Sequence, residues 1–151
     1  MSARESIQGA ATVYARLALG TAFLSAVADR FGLWGSQGGH NVAWGNFSAF
    51  LAYTGRITPF APHALTPIIG WTATAAEIVL GVSLVFGILT RWAAALSAGL
   101  LAAFAVGMTS GTGVKTAFDA SVFSASAGAF LLACAPRYPL ALSGRLHRPS
   151  R

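Results

Sequence analysis

Residues 92–114 carry no formal charge and are mostly Leu, Ala, Phe, Val and Met. At about 1.5 Å per residue such a run crosses ~30 Å of hydrocarbon, and few soluble folds can bury it on all sides. Residues 65–89, just before it, are equally apolar apart from Glu77, and Thr90-Arg91 leaves room only for a tight turn between antiparallel neighbours. Residues 8–28 repeat the pattern around one charge, Arg16, and residues 117–135 around Asp119, with Pro136 ending that run. Composition agrees: 9% of the 151 residues are charged and 55% are hydrophobic, against about 25% charged in soluble domains. An ordinary water-soluble enzyme, a disordered tail and a disulfide-stapled secreted domain are all excluded, Cys134 being the single cysteine.

The fold class that follows is all-α, an integral membrane four-helix bundle in one domain. Its expected spans are 8–28, 65–89, 92–110 and 117–135, followed by a basic tail over 136–151. The long first loop contains an aromatic stretch too short to span, WGNFSAFLAY (44–53), expected to form a short interfacial helix. Ala26-Val27-Ala28 resembles a signal-peptide cleavage site, but Arg16 sits where a secretory signal needs an apolar centre. With both termini cytoplasmic, six of the ten basic residues fall inside, three outside and Arg16 within the first span, which the positive-inside rule favours. The net charge of +6 then belongs to a membrane surface, because the basic residues do not cluster with aromatics as nucleic-acid binding requires. Ala95, Gly99, Ala103, Gly107 and Gly111 form a small-residue stripe suited to close helix contact, either within the bundle or in a homo-oligomer.

Charges within spans cost at least about 2.5–3.5 kcal/mol each unless partnered, so Arg16 and Glu77 are the first candidates for a site. Their depths differ by about 6 Å, so an interhelical Arg16–Glu77 pair is expected, with Gly20 and Gly81 four residues beyond each charge. Such a pair either fixes register or holds a ligand, and both readings stay open. Asp29, Arg30 and Asp119 are expected to meet as an ion-pair lock at the outer mouth. His40, His63 and His147 lack companions at metal-ligand spacing, so no metal is expected; no covalent cofactor is expected either, and Cys134 has no CxxC partner.

Three segments carry a family likeness. YARLALGTAFLSAVADRFG (14–32) resembles the first-helix signature of the DoxX family, TAAEIVLGVSLVFGILTRWAA (74–94) its second-helix block, and SVFSASAGAFLLA (121–133) its fourth helix. The resemblance implies a small four-helix protein of the bacterial or archaeal inner membrane. Namesakes of that family are membrane subunits of thiosulfate:quinone oxidoreductase, and others accompany superoxide dismutase and a sulfurtransferase. Arg16, Gly20, Glu77, Gly81 and Arg91 are the motif positions it carries over. Two functions are then in play. One is a quinone-facing or partner-docking subunit of a redox or oxidative-stress system, not catalytic by itself, with Trp34, His40, Trp44 and Tyr53 at the mouth of a quinone slot and Glu77 further in. The other is a carrier for a small molecule or lipid held between helices near Arg16 and Glu77.

Overall fold

A computed structural model describes residues 3–142; the basic residues Arg145, Arg148 and Arg151 and His147 lie outside them. The described residues form six α-helices: α1 (Ala3–Arg30), α2 (Phe47–Ile57), α3 (Thr66–Phe86), α4 (Thr90–Thr112), α5 (Val114–Asp119) and α6 (Val122–Ala133), with no strand among them. A 3-10 turn, His63–Leu65, leads into α3. The architecture is the expected all-helical membrane bundle. Helices α1, α3 and α4 are long and apolar enough to cross a membrane, and α6 is a shorter apolar helix of 12 residues.

Two antiparallel pairings organise it, α1 on α3 and α4 on α6. Gly20 and Gly81 explain the first, because each faces the other helix's backbone. A Cβ on Gly20 would stand 2.9 Å from the Gly81 carbonyl oxygen, and one on Gly81 3.1 Å from that of Gly20. Apolar burial gives helices little reason to associate in lipid, so close backbone approach supplies dispersion contacts in its place. The second pairing rests on small buried side chains, Ala94, Ala98 and Ala129, and on a hydrogen bond from Ser126 Oγ to the Ala98 carbonyl at 2.8 Å. Phe23, Leu80, Leu84 and Leu101 fill the shared core between the pairs.

The α3–α4 turn is as tight as the sequence requires. Gly87 ends α3 in a left-handed conformation (φ 70°), and Leu89, also left-handed, starts α4. The small-residue stripe on α4 divides its labour. Gly107 and Gly111 receive the end of α2, where a Cβ would run into the Ile57 and Arg56 backbone, whereas Gly99 faces open space. The last apolar segment differs from expectation: it breaks between α5 and α6, with Ser121 left-handed (φ 57°). Neither Gly nor Pro marks that break, so the residue pattern carries no sign of it. The start of the expected tail is also structured, since the Tyr138 hydroxyl donates to the Leu132 and Ala133 carbonyls at 3.0 Å each.

Candidate functional site

The two charges expected to pair do not. Arg16 is buried and spends its guanidinium on backbone oxygens: Nε donates to Leu84 at 3.0 Å, Nη2 to Val85 at 3.3 Å and Nη1 to Pro139 at 3.0 Å. The last carbonyls of a helix have no partner within it and carry partial negative charge, so a cation there both bonds them and complements the helix dipole. Arg16 is therefore a cap on α3 that also pins the segment after α6. By depth alone Arg16 could reach Glu77, but the free carbonyls at the end of α3 lie closer to it.

Glu77 pairs with Arg30 instead. Its Oε2 lies 2.5 Å from Arg30 Nη1, and both side chains are 3% exposed. The same Nη1 donates to Thr74 Oγ1 at 2.9 Å, and that hydroxyl donates to the Gly70 carbonyl at 2.8 Å. The guanidinium centre sits 3.8 Å from the centroid of the Phe50 ring and 5.3 Å from that of Trp44. A cation over an aromatic face is worth about 2 kcal/mol when desolvated, which helps hold the charge in an apolar setting. Two polar atoms of the pair are buried without a hydrogen-bond partner: Arg30 Nε, and Glu77 Oε2, which meets the guanidinium as an ionic contact alone.

The expected lock at the mouth does not form either. Asp29 Oδ2 accepts from the backbone N–H of Ala43 at 3.1 Å and of Trp44 at 2.9 Å, so it folds the 31–46 loop back over the end of α1. Asp119 pairs with exposed Lys115 one turn away on α5, where such pairs contribute little. Arg91 is exposed at the opposite end and reaches the Ala135 carbonyl only at 3.5 Å.

Arg30 and Glu77 form the polar part of a cavity of about 550 Å³. Its other walls are apolar or aromatic: Leu19, Phe23 and Ala26 from α1, Trp44 from the loop, Phe50, Tyr53 and Ile57 from α2, Leu101, Phe104 and Met108 from α4. Trp44 meets Phe50 edge-on at 5.4 Å and Tyr53 at 6.2 Å, giving one continuous aromatic wall. Burial pushes the Tyr53 phenol up, against the pull of the nearby Arg56 charge, so it stays a protonated hydroxyl. The volume and the ratio of apolar to polar groups are those of a site for a small, largely apolar ligand.

Of the residues the sequence singled out for a ligand, Glu77, Trp44 and Tyr53 line this cavity. Arg16 sits at the far end of α3, His40 is exposed in the loop, and Trp34 is 62% exposed with its Nε1 bonded to Ser25. Arg30 and Phe50 are the functional candidates that sequence reasoning placed elsewhere or passed over. A signal for Arg30 is present in the sequence. It is a second cation at the end of an apolar run, about four helical turns beyond Arg16, which brings it level with Thr74 on the antiparallel α3. Among the described residues no three His, Cys, Asp or Glu side chains gather as a metal site.

A family model described as methylamine utilisation protein MauE matches residues 7–135, from the first turns of α1 to the end of α6, and so takes in the cavity and its ion pair. The chain belongs to the MauE family. The DoxX resemblance is thereby corrected: the match over residues 7–135 is to the MauE model, and Gly20 and Gly81, which helped carry the resemblance, serve the close approach of α1 and α3, a need that many membrane helix pairs share. No curated protein matches this MauE-family chain, and no solved structure matches it.

Proposed function

We propose that this multi-pass membrane protein is an accessory component of a methylamine-utilisation system, and that its cavity holds a quinone-type ligand with a ring carbonyl at Arg30. The system is suggested by the description of its family, and the ligand by the cavity. The single observation that carries the ligand reading is the buried Arg30–Glu77 pair in the cavity wall, with Arg30 Nε still lacking an acceptor. A carbonyl oxygen supplies that acceptor without bringing charge into a low-dielectric site, and a flat ring fits beside Trp44, Phe50 and Tyr53. Glu77 balances the guanidinium and holds its orientation. In the arrangement with both termini cytoplasmic, the loop and α2 close the cavity on the outer side.

Protein purified in mild detergent and analysed for copurifying proteins and lipid extract should show enriched quinone. After transfer to lipid nanodiscs, Arg30→Lys keeps the charge, but its single nitrogen, held by Thr74 and Glu77, leaves no donor at the Nε position for a ligand. Loss of one hydrogen bond to a charged donor, about 1.5–3 kcal/mol, should weaken quinone binding by about 10- to 150-fold. Quinone at background level in the extract, with equal affinity in the parent and in Arg30→Lys, would overturn the ligand reading.

A further inference from the structure

The cavity wall is uneven. It is tight where α1 meets α3 at Gly20 and Gly81, and where α4 meets α6 at Ala98, Ser126 and Ala129. Between α1 and the α5–α6 corner the lining residues are Ala22, Ala26, Ala120, Val122 and Ala125, so Val122 carries the largest side chain there. Ala22 and Ala120 line the cavity and are also exposed on the bundle's surface, so the cavity reaches the outside beside each of them. The break that ends α5 at Asp119 and starts α6 at Val122 leaves the small Ala120 and Ser121 between the two helices, with Val122 as the bulkiest lining side chain beside them. The surface around the gap is apolar or small, with Leu17, Ala18 and Thr21 on α1 and Phe123 and Ala127 on α6, all exposed. That is a surface for acyl chains.

We infer that this gap is a lateral portal, through which the cavity takes an uncharged, tailed amphiphile directly from the bilayer. The head lies at Arg30 and the tail runs out between Ala22 and Ala120. The head is uncharged because Arg30 and Glu77 already neutralise each other, and an added ion would have no counter-charge in an apolar site. It carries an acceptor oxygen because Arg30 Nε is a donor without a partner, whereas Glu77 Oε2, which also lacks a hydrogen bond, already faces the Arg30 cation. It carries a tail because about 550 Å³ holds a ligand of drug size, and the remaining chain has an apolar exit. The head position rests on the ligand reading above; the portal rests on the wall geometry.

The test uses the full chain in nanodiscs, with Ala22→Phe and Ala120→Phe combined to fill the gap; both sites are exposed, so the bundle has room for the rings. Two probes are compared, a benzoquinone without a tail and the same ring with a decyl tail. Association of the decyl quinone should slow at least tenfold, while the tailless ring keeps its affinity within twofold. Equal effects on both probes, or none on either, would overturn the portal. A second readout needs no quinone: with Trp34, Trp71 and Trp92 changed to Phe, Trp44 alone reports the cavity, and lipids with brominated chains should quench it. Filling the gap should cut that quenching by half or more, and unchanged quenching would also overturn the portal. If the parent protein binds neither quinone yet filling the gap relieves the quenching, the portal stands and the quinone reading falls.

Discussion

Two double-mutant cycles decide which arginine answers Glu77. Replacing Glu77 with Leu leaves the Arg30 guanidinium 3% exposed without its counter-charge. Removing one partner of a buried pair costs about 3–5 kcal/mol, and the lower end applies here, because Arg30 keeps Thr74 and its place over the Phe50 ring. Replacing Arg30 with Met costs less, since a buried carboxyl escapes its charge by taking a proton. Replacing both gives an apolar pair of similar volume, and such exchanges are near neutral. The Arg30–Glu77 coupling should therefore reach at least about 2 kcal/mol. The second cycle combines Arg16→Met with Glu77→Leu. Arg16 lies against Leu84 and Val85, about 10 Å along α3 from Glu77, and shares no partner with it. Its coupling should stay under about 0.5 kcal/mol, although Arg16→Met alone destabilises by freeing three carbonyl oxygens. Unfolding of the purified variants in mixed micelles with increasing dodecyl sulfate, followed by circular dichroism, measures all the corners. A large Arg16–Glu77 coupling beside a negligible Arg30–Glu77 one would refute the assignment.

Three further substitutions test the packing of α4 and the anchoring of the long loop. Gly99→Ala and Gly111→Ala alter the same stripe, but a Cβ at Gly99 meets open space, while one at Gly111 runs into the Arg56 carbonyl oxygen and stands 2.6 Å from Ile57 Cα. The first should stabilise by about 0.5–1 kcal/mol through helix propensity and the second destabilise by about 1–3 kcal/mol, a difference of sign that thermal unfolding reads directly. Asp29→Ala removes the acceptor for the Ala43 and Trp44 amides; their hydrogen exchange should accelerate at least tenfold and protease should cut the 31–46 loop sooner, and unchanged exchange would show the loop to be held by other contacts.

Much of the architecture is legible in the residues themselves. The apolar runs name α1, α3 and α4, the turn at Thr90-Arg91 makes α3 and α4 antiparallel, and the aromatic stretch in the long loop becomes α2. These follow from what lipid demands of a backbone, which is local: every N–H and C=O must be satisfied within its own segment. Glu77, Trp44 and Tyr53 are legible for a related reason, since an acid in an apolar run or a cluster of aromatics in a loop stands out against composition alone. The family is not legible in this way. Small residues such as Gly at helical spacing are what close-packed membrane helices commonly use, and the match to the MauE model over residues 7–135 corrects the DoxX reading.

Sequence alone determined that the chain is a helical membrane protein, and that its intramembrane charges must find partners, because the cost of an unpartnered polar group in hydrocarbon does not depend on the fold. Which partners they find was decided only by the tertiary structure. Close approach at Gly20 and Gly81 sets the register of α1 on α3, and that register puts Arg16 at the carbonyl end of α3 and Arg30 beside Thr74 and Glu77. The break at Ser121 then sets Ala120 and Val122 beside the cavity. Composition and spacing fix neither, because both depend on where one helix stops sliding along another, and contacts distant in sequence settle that.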